Sequence, residues 1–243
     1  MLIDRFKYKA SLTELWSKVF KDEKSYIELI FSEGSADSIL CFAETDGDKV
    51  VSAFYLLKTY LYFNNKCYNG YYLYAAATDN SYRGKGIMSK LIKEAQDCCE
   101  KSGSDFISLV PSEASLYSYY KRSGFIGSMY CVEKAVTAPE TERAISADEY
   151  YSRRKLQINY FNFDEKSFSY AADCLKAAGF GFFSDKESIY IKDNGGEIIE
   201  YISFADAEFA DCKKYPFGML YPINPELNRE WKHTDIYMNI ALD

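Results

Sequence analysis

The stretch Tyr74-Ala75-Ala76-Ala77-Thr78-Asp79-Asn80-Ser81-Tyr82-Arg83-Gly84-Lys85-Gly86-Ile87-Met88 constrains this chain more than any other. After Gly86 the apolar residues Ile87, Met88, Leu91, Ile92, Ala95, Cys98 and Cys99 recur at helical spacing, with Lys85, Lys90, Lys93, Glu94, Asp97 and Glu100 between them. The stretch therefore reads as the end of a strand, a tight turn and the start of a helix. The first N–H groups of a helix have no partner within it, and two glycines flanked by Arg83 and Lys85 let an anion approach those groups closely. That describes a cradle for a pyrophosphate.

Gly-x-Gly-x-x-Gly and Gly-x-x-x-x-Gly-Lys-Ser/Thr are both absent, which weakens the Rossmann and P-loop alternatives. The six residues Ser81-Tyr-Arg-Gly-Lys-Gly86 instead resemble the Gln/Arg-x-x-Gly-x-Gly/Ala motif of the GCN5-related N-acetyltransferase (GNAT) superfamily, with both glycines in place and Ser81 departing at the first position. Downstream, Phe106 to Pro111 reads as a short buried strand, and Glu113 to Ser123 as a helix closed by Gly124. The portion Tyr120-x-x-x-Gly124-Phe125 is similar to that family's Leu-Tyr-x-x-x-Gly-Phe segment. The two matches together span roughly residues 38 to 135.

The resemblance implies the acyl-CoA N-acyltransferase (GNAT) fold, an α/β (α+β) architecture with a mixed, mostly antiparallel sheet flanked by helices. It also implies acetyl-CoA as co-substrate and direct attack by an amine in a ternary complex. Backbone groups of Ala76, Ala77 and Thr78 and the turn Arg83, Gly84, Lys85, Gly86, Ile87, Met88 would hold the cofactor, with an N–H near Ala76 or Ala77 polarising the thioester oxygen. Ala75 to Ala77 would be small because the pantetheine arm runs beside them, or because a helix packs closely there. Tyr120 aligns with the family's general acid, and an ordinary phenol pKa near 10 suits donation to a departing thiolate; one more buried aromatic is the plainer alternative.

For the base, Glu44, Asp79 and Glu113 fall at predicted strand ends, where each could equally be a solvated acid or a helix cap. Relatives of the enhanced-intracellular-survival type use a C-terminal carboxylate, and by that likeness Asp243 is a further candidate.

The acceptor class is bounded by charge. A net charge of -7 argues against a nucleic-acid or anionic-membrane surface and favours a cationic amine, either a small molecule or a peptide N-terminus. Seven cysteines at irregular spacing, with His233 the lone histidine, give no zinc pattern and read as free thiols in a reducing compartment. With no long apolar run and no signal-peptide layout, the expected location is cytoplasmic, as a monomer or homodimer.

Along the chain, Leu2 to Lys9 reads as an opening strand and Ser11-Leu-Thr-Glu14 as a capping box before a helix. A second helix follows Asp22 and stops at Gly34. Strands are expected at 38–44, 50–62 and 67–78, joined through Asp46-Gly-Asp and Asn64-Asn-Lys66. From Phe125 to Val136 the sequence reads as closing strands, and the polar stretch 136–143 marks a boundary. Two domains result: 1–138, catalytic, and 139–243, a smaller α+β unit that echoes the first in Lys176-Ala-Ala-Gly179-Phe180 and lacks a glycine turn of its own. In that second unit Ser146 starts a helix, a strand covers 156–163, a helix covers 166–178, strands follow at 181–183, 188–192 and 197–204, an apolar segment runs over 215–223, and a strand covers 236–243. Two competing functions share the fold: transfer from another acyl-CoA, and a non-catalytic module that binds CoA or a partner protein.

Overall fold

A run of largely apolar residues from Val50 to Phe63, buried almost continuously because core covers both faces, pairs with Lys66–Thr78 in one long hairpin, and much of the chain is laid along its edges. The computed structural model describes residues 1–243 apart from 33, 35, 36, 134–140, 158, 159, 205–212, 231–235, 239–241 and 243. Its elements run β1 (Leu2–Ile3), α1 (Lys9–Phe20), α2 (Lys24–Glu28), β2 (Ile39–Asp46), β3 (Lys49–Phe63), β4 (Lys66–Thr78), α3 (Ile87–Lys101), β5 (Phe106–Leu109), α4 (Ala114–Arg122) and β6 (Ile126–Glu133). Beyond these come β7 (Arg143–Ala144), α5 (Ala147–Arg154), β8 (Phe161–Phe163), α6 (Glu165–Ala177), β9 (Phe180–Ser184), β10 (Ser188–Asp193), β11 (Ile198–Ser203), β12 (Lys213–Pro222), α7 (Pro225–Glu230) and β13 (Ile236–Tyr237).

Among the described residues the main sheet has the order β1-β2-β3-β4-β5-β12-β6-β13, with β8 also paired to β3. It is antiparallel except for the β4–β5 and β6–β13 pairs. All four residues of β5 are buried, so that strand needs a neighbour on each edge; β4 supplies one and β12 the other. One core cluster joins α1, α2 and α6 to one face of the sheet. A second joins α3 and α4 to the other face, where Phe42 and Phe54 stack at 5.5 Å. No helix of the described residues is long and apolar enough to cross a membrane.

The division expected at 138/139 falls within residues 134–140, outside the described residues. Strands from beyond it do not keep to themselves: β12 inserts between β5 and β6, β8 runs against β3, and β13 adds to β6. Among the described residues β7, β9, β10 and β11 form a separate sheet, against which α5 and α6 pack. There the guanidinium of Arg154 meets both carboxylate oxygens of Glu200 at 2.8 and 2.9 Å, with the pair fully buried, while Asn162 and the hydroxyl of Tyr150 complete the network.

Local departures from the expected elements have identifiable causes. The opening strand shrinks to two residues and α1 begins at Lys9, before Ser11. Ser11 does not cap this helix; its Oγ accepts the N–H of Val50 at 2.7 Å and pins α1 to the hairpin. The strand expected from Leu156 starts only at Phe161, and Leu156 is 73% exposed. Ser146 does cap α5, accepting the N–H of Glu149 at 3.0 Å.

Candidate active site

The parallel strands β4 and β5 are held together at one end and part at the other. Their pairing is confined to Gly70↔Phe106, Tyr71↔Ile107 and Tyr72↔Ser108. At the closed end the backbones meet so tightly that a Cβ on Gly70 would lie 2.4 Å from the Phe106 carbonyl oxygen. Toward the open end, the register between β3 and β4 slips so that Ala53 faces Ala77 while Tyr55 faces Tyr74. Ala75, with φ 52, takes up the slip in the left-handed region, at a cost of about 1–3 kcal/mol for a non-glycine residue. A bulge of this kind turns main-chain groups out of the ladder.

Beside the bulge lies a cavity of about 620 Å³. Ala75 and Ala76 line it from β4, Val110 and Ser112 from just beyond β5, and Leu116 and Tyr120 from α4. Its other walls come from Trp16 and Phe20 of α1, from Asp22, Glu23, Ser25 and Tyr26, and from Ala177, Ala178 and Leu242. Tyr120 is buried, its ring edge-on to Phe125 at 5.7 Å and to Tyr119 at 5.2 Å.

The glycine turn follows directly on β4. Gly84 (φ 76) and Gly86 (φ 75) both lie in the left-handed region, with nothing within 4 Å of where a Cβ would sit. Helix α3 begins at Ile87, and no side chain caps it at Gly86. Arg83 Nε donates to the carbonyl of Thr78 at 3.1 Å, and Lys85 Nζ sits 4.7 Å above the Tyr82 ring. Ile87 and Met88 rest against the second core cluster, fixing the first turn of the helix. Of the residues the sequence singled out for the cofactor, Ala76 lines the cavity, while Ala77, Thr78 and the turn from Arg83 to Met88 are not among its lining residues.

The carboxylates fare differently. Asp79 is buried; it accepts from Lys18 at 2.8 Å, the N–H of Ser81 at 3.0 Å and Lys49 at 3.4 Å. The Lys18 bond, then that of Ser81, holds its carboxyl well below the usual carboxylate range. Such a group is a structural anchor for the turn and a poor proton acceptor.

A depressed carboxylate contributes stability that is complete above its ordinary pKa near 4 and lost as pH falls toward the folded value. Asp79→Asn should therefore lower the melting temperature at neutral pH, with the gap to the wild type narrowing between about pH 5 and pH 2.5. A gap that stays constant on acidification would contradict this assignment.

Glu44 accepts from Lys90 Nζ at 3.1 Å. Glu113 is exposed at the N-cap of α4, accepts from Ser115 Oγ at 3.1 Å and is not among the residues that line the cavity. Asp243 lies outside the described residues, although its chain neighbour Leu242 lines the cavity.

Sequence reasoning missed the cavity's own acids, Asp22 and Glu23. Trp16, itself buried, donates its indole N–H to Asp22 Oδ2 at 2.7 Å. The pairing of a Trp with an Asp six residues on, across the end of a helix, was the available signal. Also missed was a polar cluster in the wall: the Tyr26 and Tyr74 hydroxyls lie 3.2 Å apart, with the Tyr170 ring 6.2 Å from that of Tyr74 and Cys174 buried on the same helix as Tyr170. Burial pushes both phenols above their ordinary value and the Cys174 thiol up to about 11, so all stay neutral. The described cysteines are free, and no group of three or more metal-ligating side chains occurs among the described residues.

A sheet that splays beside a bulged strand, followed by a glycine turn at a helix start, is the architecture of acyl-CoA N-acyltransferases. Residues 7–126 match the family model for the acetyltransferase (GNAT) domain, so that part of the chain belongs to the GNAT superfamily.

Solved structures share the fold over most of the chain. A probable N-acyltransferase from Enterococcus faecalis V583 superposes with a TM-score of 0.69 at 13% identity, covering 92% of this chain and 72% of that one. Eis1 from Mycobacterium abscessus gives 0.66 at 9% identity, covering 92% and 73%. A GCN5-related N-acetyltransferase from Kribbella flavida gives 0.63 at 11%, covering 92% and 72%. No curated protein matches the chain in sequence.

Proposed function

We propose that the chain transfers an acetyl group from acetyl-CoA to an amine by direct attack while both substrates are bound. The observation that supports this most is that the bulge at Ala75–Ala76 and the phenol of Tyr120 line one cavity, which lies where β4 and β5 part. The residues fit the cofactor: Gly84 and Gly86 leave open space before the unpartnered N–H groups at the start of α3, where a diphosphate would rest beside Arg83, Lys85, Ile87 and Met88. When bound, acetyl-CoA supplies the activated acyl group.

The chain's own residues do the rest. Main-chain groups of Ala76, Ala77 and Thr78 hold the pantetheine arm and present an N–H to the oxygen that gains charge. Tyr120 gives its phenolic proton to the sulfur as the C–S bond breaks. Asp22 and Glu23, with no lysine or arginine among the described lining residues, draw a cationic amine into the cavity. Of the carboxylates put forward as base, Asp243 adjoins a cavity residue in sequence, whereas Glu113 is exposed and does not line the cavity.

Incubating the full chain with acetyl-CoA and a panel of primary amines should release free thiol faster with at least one amine than with none. If no amine accelerates release while CoA still raises the melting temperature, the chain binds CoA without transferring its acyl group.

A further inference from the structure

We infer that α6 sets the size of amine the protein accepts, through the small side chains of Ala177 and Ala178 at its end. This rests on the cavity beside Ala75 being the acceptor end of the site.

Three observations carry it. First, α6 is held firmly against the cavity wall. Its inner face buries Phe168, Tyr170, Ala171, Ala172, Cys174 and Leu175. The Tyr170 ring meets that of Tyr74 edge-on at 6.2 Å, and Tyr74 and Tyr26, whose hydroxyls lie 3.2 Å apart, both line the cavity. At its other end Asp164 caps the helix, accepting from the N–H of Ser167 at 2.8 Å, and takes a second bond from Ser38 Oγ at 3.0 Å. The helix end is therefore a fixed wall.

Second, Ala177 and Ala178 line the cavity and are themselves exposed, so each stands between the cavity and solvent. Third, Gly179, at φ 90, ends the helix immediately after them, and the chain turns off into β9. Larger side chains at 177 and 178 would have the cavity mouth to fill and nothing to displace. Steric exclusion at an apolar wall discriminates between ligands by size, by roughly 10- to 200-fold per excess group.

The test compares the wild type with Ala177→Leu/Ala178→Leu, using ethylamine, 2-phenylethylamine and 3,3-diphenylpropylamine, which carry one charge and increasing bulk. Each is titrated calorimetrically into the full chain in the presence of CoA, and each is used separately as acceptor in a thiol-release assay. The leucine variant should bind ethylamine within about twofold of the wild type and 3,3-diphenylpropylamine at least about tenfold more weakly, with kcat/KM following.

Should the size-dependent loss of binding occur while no amine accelerates thiol release, α6 is the selecting wall and acetyl transfer is the reading that falls. The inference is overturned if the leucine variant binds all three amines as the wild type does, if it loses all three equally, or if none binds the wild type. A leucine variant that melts well below the wild type is replaced by Ala178→Val, judged by the same ordering.

Discussion

Gly86→Val should reduce affinity for CoA by about 100-fold or more while leaving the chain folded. Gly86 sits at φ 75, where a β-branched side chain adds a penalty of about 1–2 kcal/mol, so the turn itself would reorganise. The isopropyl group would also enter the open space in front of the first turn of α3, through which a diphosphate reaches the main-chain N–H groups. Each 1.4 kcal/mol lost is a factor of ten in binding, so strain and obstruction together account for the expected size. Because nothing lies within 4 Å of the added carbon, core packing is untouched and the melting temperature should fall only slightly. Calorimetric titration with CoA decides the matter: undiminished affinity would mean that the phosphates rest elsewhere.

Tyr120→Phe should lower kcat by about 10²- to 10⁴-fold, the usual worth of a positioned proton donor, and leave CoA affinity unchanged. The phenyl ring keeps the edge-on contacts with Phe125 and Tyr119, so the wall of the cavity survives and only the hydroxyl is removed. An equal fall in kcat and kcat/KM would mark an interaction made in the transition state, whereas a rise in KM alone would mark simple binding. A variant that retains more than about a tenth of wild-type turnover would show that the thiolate finds its proton without this phenol.

What could be read from the sequence was what is decided locally. The periodicity from Ile87 to Cys99 specifies α3 because a helix of that length needs only its own residues and one apolar stripe. The apolar, β-branched and aromatic runs on either side of Asn64-Asn65 specify the β3–β4 hairpin, and the two asparagines adopt the positive φ (48 and 59) that the turn requires.

The rest depends on partners distant in sequence. Nothing in residues 213–222 announces that they belong between β5 and β6, since strand pairing leaves no mark on either strand's own pattern. Ser11 reads as a cap because caps are common, yet the N–H of Val50 claims its oxygen. Asp79, at a strand end, has the look of a base until Lys18, 61 residues away, is found on it. The acids that do line the cavity, Asp22 and Glu23, lie in a short link between helices whose position only the folded chain defines.

The insertion of β12 has a consequence for how the protein is made. As the chain leaves the ribosome, the glycine turn, α3 and α4 emerge long before Lys213, yet the seam between β5 and β6 has no occupant until Lys213–Pro222 arrives. Until then two strand edges in the middle of the sheet stand bare, the kind of surface that invites pairing with the wrong chain. Synthesis through Pro222 thus precedes closure of the sheet that carries the cavity.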